Sequence, residues 1–143
     1  MTLSVGNTAP GFTVNDTNGN TVSLSNFSGK TVVLYFYPKD DTSGCTKEAC
    51  SFRDHYSVYQ NKDVVVLGVS GDDEASHQAF TSKFSLPFPL LADINKSLMQ
   101  VYDVDRGGYA KRVTYVINGE GIITHVYDNI NTATHAQDIL ADL

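Results

Sequence analysis

The two cysteines, Cys45 and Cys50, are the residues with the clearest potential for chemistry, and they lie five positions apart. A cysteine attacks as a thiolate, whereas a free thiol is mostly protonated at neutral pH. Thr42, Ser43 and Gly44 precede Cys45 and are typical of a helix start. The unpaired N–H groups and the dipole at such a start favour a negative sulfur in the first turn. Cys45 is therefore the candidate nucleophile.

Three residues upstream of Cys45 have properties that suit a reactive cysteine. Pro38 fixes the backbone and can cover the sulfur from water. Thr42 can turn its hydroxyl toward the same space as the sulfur. Gly44 has no side chain and allows a close approach by the molecule that the sulfur attacks. We therefore expect the candidate site to lie in this segment.

The spacing of the two cysteines limits when they can form a disulfide. Residues five apart in an intact α-helix lie ~140° apart around the axis and ~7.5 Å apart along it, so their Cα atoms are ~8.7 Å apart. A disulfide requires Cα atoms within ~7 Å. If both residues are helical, Cys45 and Cys50 bond only after the first turns unwind. We expect a whole helix in the reduced form and a frayed or melted helix in the oxidised form.

Less reactive explanations exist for the same residues. Free cysteine is often a small buried hydrophobic residue, and for Cys50 alone this explanation is as good as a chemical role. A zinc site is a weaker explanation, because no paired Cys or His motif follows. The four histidines also lack the spacing of metal ligands. We expect them to be surface or core residues: His55, His77, His125 and His135.

Composition restricts the class of protein. The chain fits one domain covering residues 1–143, which can fold without a metal or a disulfide. Its net charge is -6 and its ten Lys and Arg form no cluster, which argues against binding to nucleic acid or an anionic membrane. We see no signal peptide and no apolar run near the ~20 residues of a transmembrane helix. We therefore expect a cytoplasmic protein, in which two close cysteines are more readily redox-active than structural.

The candidate site follows a predicted buried strand. Residues 31–37 are continuously apolar, β-branched or aromatic, and residues 64–69 form a second apolar run. A helical pattern lies between them, at about residues 43–59. Strand, helix and strand in this order form a right-handed βαβ unit with parallel strands.

Hairpins and further helices complete the predicted fold. Asn-Gly turns predict hairpins at residues 12–24 and 112–127, and Asn131 is the expected cap of a final helix. An acidic start predicts a helix at residues 72–84, and two prolines make residues 85–91 an extended crossing.

A short helix, capped by Asp93 or Asn95, is expected to end at Tyr102. The expected architecture is α/β and thioredoxin-like. It has a mixed central sheet, helices on both faces and an extra N-terminal β-hairpin.

Specific motifs add a family resemblance. Residues 38–45, PKDDTSGC, fit the P-x-x-x-T-x-x-C active-site motif of peroxiredoxins. The longer string YPKDDTSGCTKEACSFRD closely resembles the peroxiredoxin Q or bacterioferritin-comigratory-protein branch, in which the resolving cysteine follows the peroxidatic cysteine by five residues. Residues 83–93 and the strand at 112–117 resemble the same branch, so the resemblance covers nearly the whole chain.

The resemblance implies a role for each cysteine. Cys45 is then the peroxidatic cysteine, which attacks a hydroperoxide and becomes a sulfenic acid. Cys50 is the resolving cysteine, which condenses with that sulfenic acid to a disulfide. Thioredoxin or a similar dithiol reductant restores both thiols by exchange. The resemblance implies no metal or organic cofactor, and the branch is often monomeric.

The resemblance also assigns the residues around the sulfur. Thr42 hydrogen-bonds the peroxide, and the backbone N–H groups of Gly44 and Cys45 bind its oxygens. Arg112 stabilises the thiolate and the charge that develops on the leaving oxygen. Pro38 shields the sulfenate from water.

Two positions near Cys45 have open interpretations. Glu48 matches the family pattern and either orients an arginine, Arg112 or Arg53, or is a solvated helix residue. Ser43 stands where the branch usually has proline. Serine can cap the helix but stiffens the loop less, which affects how readily the first turn unwinds.

Two other functions fit the chain less well. A redox-responsive binding protein would use the disulfide to remodel a surface, but such a switch does not need Pro38, Thr42 and Arg112 around a peroxide. A thioredoxin-like reductase or isomerase would carry a C-x-x-C motif, which is absent. A thiol peroxidase is the favoured interpretation.

Overall fold

The structure, a computed structural model, describes residues 2–143. Its strands are β1 (Thr13–Asp16), β2 (Thr21–Ser23), β3 (Thr31–Phe36), β4 (Val64–Ser70), β5 (Leu90–Ala92), β6 (Val113–Ile117) and β7 (Ile123–Tyr127). These strands form one sheet in the order β2-β1-β5-β4-β3-β6-β7. The pair β3–β4 and the pair β4–β5 are parallel, and the other neighbours are antiparallel. The predicted mixed sheet and the parallel βαβ unit are therefore confirmed.

Within residues 2–143, five helices accompany the sheet. They are α1 (Ser43–Asp54), α2 (Tyr56–Asn61), α3 (Glu74–Phe84), α4 (Ser97–Val101) and α5 (His135–Leu140), with a 3-10 turn at Leu24–Phe27. Buried residues of α1, α2, α3 and α5 pack on one face of the sheet, and those of α4 pack on the other. The prediction of helices on both faces is confirmed.

The central strand β3 is buried on both faces, because its side chains alternate between two apolar clusters. Val33 and Tyr35 belong to the cluster that contains α1, whereas Leu34 and Phe36 belong to the opposite cluster. Such a strand requires a continuous apolar run rather than an alternating one. The strand ends at Phe36, and the following loop leads directly to α1.

The prediction of a single helix at residues 43–59 is wrong, because the helix is interrupted at His55, between α1 and α2. Nδ1 of this histidine lies 3.0 Å from the carbonyl oxygen of Ser51, the atom that would accept the backbone N–H of His55 in an α-helix. That N–H instead bonds the carbonyl of Phe52, at 3.3 Å. The imidazole of His55 thus competes with the backbone N–H of the same residue for the Ser51 carbonyl, which interrupts the helix.

The N-terminal hairpin joins the sheet through its first strand. Strands β1 and β2 pair antiparallel, and β1 also pairs with β5. Gly19 has φ of 78° in the connecting turn, a conformation that glycine adopts without strain. The extra N-terminal hairpin is therefore confirmed, although its second strand ends at Ser23.

Side-chain caps fix the helices that follow β4 and β5. Asp73 accepts a hydrogen bond from the backbone N–H of Ser76 and caps α3, as its acidic start predicts. The carboxylate of Asp93 accepts from the N–H groups of Leu98 and Met99 at the start of α4. Lys96 occupies the N-cap position itself, and of the two residues considered as caps, Asp93 is the one whose side chain bonds the helix start.

The final helix begins later than expected, at His135. Asn131 was the expected cap, but its carboxamide oxygen accepts from the N–H of Ala133 and closes a turn before the helix. Thr134 occupies the N-cap position instead. Within residues 2–143, no helix is both long enough and apolar enough to cross a membrane.

Candidate active site

Cys45 lies in the first turn of α1 and is only 1% exposed. Thr42 is the N-cap residue of this helix. The sulfur faces inward because Cys45, Ala49 and Phe52 share the helix face that packs on the sheet. The N–H groups and dipole of the helix start favour the thiolate over the thiol.

Arg112 comes from a different part of the chain and contacts the sulfur. It lies immediately before β6, and β6 pairs with β3, the strand that leads into the cysteine loop. Its Nη2 donates to Sγ of Cys45 over 3.3 Å. Burial lowers the pKa of Arg112, but the charge of Glu48 and the contact with Cys45 raise it more, so the guanidinium stays charged. A fixed positive charge at this distance stabilises a thiolate.

Glu48 holds the same arginine from the other side. Its Oε1 accepts from Nη1 of Arg112 over 2.7 Å, and its side chain has no exposure to solvent. Burial raises the pKa of Glu48 to about 7, while Arg112 opposes this rise. Glu48 therefore contacts Arg112, not Arg53, and it is not a solvated helix residue. Arg53 instead pairs with Asp54.

Gly44 is the point at which the helix start approaches Arg112. A Cβ atom at this position would lie 3.1 Å from Nη2 of Arg112 and 3.9 Å from Cγ2 of Thr132. A side chain here would crowd the guanidinium that contacts the sulfur. The absence of a side chain therefore lets the guanidinium of Arg112 lie close to the helix start that carries Cys45.

Thr42 and Pro38 lie in the loop between β3 and α1. The hydroxyl of Thr42 donates to the carbonyl oxygen of Lys39 over 3.0 Å, so its proton points back into the loop. The lone pairs of that hydroxyl remain available to accept a hydrogen bond. Pro38 is half-buried. The peroxide contact of Thr42 and the shielding role of Pro38 stay predictions.

Asp40 anchors this loop to α3, a contact that the sequence interpretation did not include. Its carboxylate accepts from the hydroxyls of Tyr37 and Ser76, at 2.5 and 2.7 Å, and lies 2.7 Å from Nδ1 of His77. His77 was expected to be a surface or core residue and is fully buried. No sequence motif connects Asp40 with His77, because they are 37 residues apart and meet only through the fold.

Cys50 lies on the same unbroken helix as Cys45 and is partly buried. Both cysteines are free thiols in the described structure. The dithiol form thus has the whole helix expected for it. The disulfide and the opening of the helix stay predictions.

His135 reaches the site from α5. From the sequence it was expected to be a surface or core residue without a role in the site. It is 1% exposed, and its Nε2 lies 2.7 Å from the hydroxyl of Thr114 and 3.7 Å from Oε2 of Glu48. Burial lowers its pKa to about 4; Asp138 opposes this effect and Arg112 adds to it. His135 is therefore neutral at neutral pH.

Comparisons with known proteins agree with this geometry. Residues 5–126 match the AhpC/TSA family. A chloroplastic peroxiredoxin Q of Triticum aestivum is 48% identical over 130 residues, which are 89% of this chain and 60% of the relative. The chain thus spans less than two thirds of the length of this plant relative. A bcp protein of Coxiella burnetii is 42% identical over the full length of both chains.

A solved structure extends the likeness to the fold. The crystal structure of peroxidoxin BcpB from Mycobacterium tuberculosis superposes with a TM-score of 0.92 and 32% identity, covering 97% of this chain and 95% of that one. The sequence matches and this superposition agree with the cysteine motif quoted above. The chain belongs to the AhpC/TSA family, in the peroxiredoxin Q and bcp branch.

Proposed function

We propose that this chain is a thiol-dependent peroxidase that reduces hydrogen peroxide and organic hydroperoxides. The observation that carries the proposal is the 3.3 Å contact from Nη2 of Arg112 to Sγ of Cys45, at the start of an intact helix. The helix start and the guanidinium both favour a thiolate. The family membership and the names of the relatives support the same chemistry.

The first step is attack by the Cys45 thiolate on the terminal oxygen of the hydroperoxide. A new S–O bond forms as the O–O bond breaks, so that sulfur is oxidised to sulfenic acid, and the departing oxygen takes a proton from solvent to leave as an alcohol or water. Arg112 stabilises the charge on the departing oxygen. Thr42 accepts a hydrogen bond from the peroxide, and the N–H groups of Gly44 and Cys45 bind its oxygens. Pro38 shields the product.

The second step joins the two cysteines. The thiol of Cys50 attacks the sulfenic sulfur of Cys45, an S–S bond forms and water leaves. Because ~8.7 Å separates Cα atoms five residues apart in a helix, α1 must open at its first turns before this bond can form. A dithiol reductant, thioredoxin or a similar protein, then reduces the disulfide by exchange and becomes oxidised itself.

The working form is one domain of residues 1–143 that acts as a monomer without a metal or organic cofactor. We place it in the cytoplasm, because the cycle returns both cysteines to thiols and a reducing compartment sustains that state.

Peroxide consumption coupled to thioredoxin and its reductase tests the proposal. Cys45→Ser should abolish turnover. Cys50→Ser should still react once with peroxide but should lose recycling by thioredoxin, unless another thiol resolves the sulfenic acid. Undiminished peroxidase activity of Cys45→Ser would refute the assignment.

A further inference from the structure

The two oxygens of the buried Glu48 carboxylate have different surroundings. One oxygen, Oε1, accepts from Arg112, whereas no group in residues 2–143 donates a hydrogen bond to the other, Oε2. This oxygen is buried, and an unpartnered buried acceptor is unfavourable. The ring of His135 faces it, with Nε2 at 3.7 Å, slightly beyond hydrogen-bond range.

Thr114 fixes the orientation of that ring. Its hydroxyl lies 2.7 Å from the same Nε2 of His135, and both residues are buried. Thr114 is the second residue of β6, directly after Arg112 and Val113. The strand that brings Arg112 to the sulfur therefore also holds the ring beneath Glu48.

The charges around His135 favour a role in positioning Glu48 over an ion pair between the two residues. The charged groups that face His135 are Glu48 from α1, Arg112 from the start of β6, and Asp138 on its own helix. The ring is neutral at neutral pH, so it leaves the Glu48–Arg112 pair intact instead of competing with Arg112 for the carboxylate. Nε2 lies 2.7 Å from the Thr114 hydroxyl and 3.7 Å from Oε2 of Glu48, so the ring contacts both groups through one nitrogen.

We propose that His135, oriented by Thr114, is a positioning residue that holds Glu48 so that Arg112 stays aligned on Cys45. The chain of contacts runs from Thr114 to His135, Glu48, Arg112 and finally Cys45. This inference rests on the proposed peroxidase function for its effect on peroxide. Its effect on the reactivity of the Cys45 thiol does not depend on that function.

The test compares variants of His135 in a Cys50→Ser background, where Cys45 is the only thiol. Alkylation by iodoacetamide across a pH series and the single-turnover rate with hydrogen peroxide are measured for each protein. We expect His135→Leu to slow both reactions about 10-fold near pH 7, because small displacements of an aligned group have large kinetic effects. The variant should also need a higher pH for the same alkylation rate. His135→Gln, whose amide can occupy the place of Nε2, should stay within about 3-fold of the parent.

Two further comparisons separate positioning from loss of structure. Tyr59→Phe removes another contact of α5, the 2.7 Å hydrogen bond from the Tyr59 hydroxyl to the carbonyl of Ala136. It should lower the melting temperature without changing the alkylation profile. Thr114→Val should slow alkylation in the same direction as His135→Leu, and Thr114→Ser should not.

The inference is overturned if His135→Leu alkylates like the parent, or if Tyr59→Phe loses reactivity by the same factor. It is also overturned if Thr114→Val and Thr114→Ser behave alike, a comparison that holds even if His135→Leu does not fold. A parent protein that alkylates readily but does not reduce peroxide would refute the proposed function alone.

Discussion

Oδ2 of Asp40 lies 2.7 Å from Nδ1 of His77, and this buried pair ties the cysteine loop to α3. The other ring nitrogen, Nε2, lies 2.9 Å from the carbonyl oxygen of Leu91. A carbonyl only accepts, so Nε2 carries a proton and the ring is held at both ends. Through these two contacts, His77 ties the loop that carries Thr42 to α3 and to β5.

Breaking this pair should destabilise the protein and disturb the loop. We expect His77→Phe to lower the free energy of unfolding by about 2–4 kcal/mol, because it removes the hydrogen-bond partner of the buried Asp40 carboxylate and of the Leu91 carbonyl. Urea denaturation followed by circular dichroism measures the loss. Lys83→Ala is the matched control, because the Lys83–Asp41 pair also joins this loop to α3 but is about half exposed. It should change stability by less than about 1 kcal/mol, and an equal effect of both variants would contradict the prediction.

Glu48 should make stability depend on pH. Its pKa rises from 4.5 to about 7 on folding, because burial disfavours the charged form. A raised pKa contributes stability that is fully present below pH 4.5 and is lost as pH rises through about 7. This loss corresponds to roughly 3 kcal/mol. Glu48→Gln cannot ionise, so the wild type should lose about that much stability relative to the variant between pH 4.5 and 7.5.

The comparison of the two proteins isolates Glu48 from His135. His135 has a lowered pKa, so its contribution is present above pH 6.5 and is lost as pH falls through about 4, the opposite slope. Both proteins contain His135, so the part of its effect that does not depend on the charge of Glu48 cancels in the difference. Denaturation under reducing conditions at several pH values gives the curves, and parallel curves would contradict the prediction.

The sequence predicted the parts of the site that are local. The apolar run of β3 and the motif around Cys45 each lie in one short segment, where periodicity and residue spacing carry the information. Arg112 is distant in sequence, but its strand has its own resemblance to the family. These three features lie where they were expected.

The parts that were missed depend on contacts between distant segments. His77 and His135 each bind a partner that only the fold brings near, and neither has a spacing that marks it. The break at His55 depends on one ring nitrogen reaching a backbone carbonyl, at 3.0 Å. Helical periodicity continues across that residue, so the pattern predicted one helix where there are two.

Arg112 should not be replaceable by lysine. Its guanidinium contacts Sγ of Cys45 through Nη2 and Oε1 of Glu48 through Nη1. A single ammonium group cannot reproduce this planar fork. We expect Arg112→Lys to slow the single-turnover reaction with hydrogen peroxide about 10²- to 10³-fold, the usual effect of removing one donor to a developing oxyanion. Arg53→Lys, on the same helix as Cys45, is the control and should keep the wild-type rate. A wild-type rate for Arg112→Lys would remove the fork from the mechanism.

Ser43 should control how easily α1 opens. It is the first residue of the helix, a position where proline fits because the N–H has no helical acceptor. Ser43→Pro should stabilise the dithiol form by about 0.4–1 kcal/mol by restricting the unfolded chain. The same restriction should slow closure of the Cys45–Cys50 disulfide, because the first turn must unwind.

Quenched-flow mass spectrometry can follow this step without a tryptophan, which the chain lacks. Sulfenic acid at Cys45 should form at the wild-type rate in Ser43→Pro and then persist longer before the disulfide appears. Ser43→Ala is the matched control, because it removes the hydroxyl without fixing φ. Disulfide formation in Ser43→Pro that is as fast as in Ser43→Ala would show that the first turn of α1 does not limit resolution.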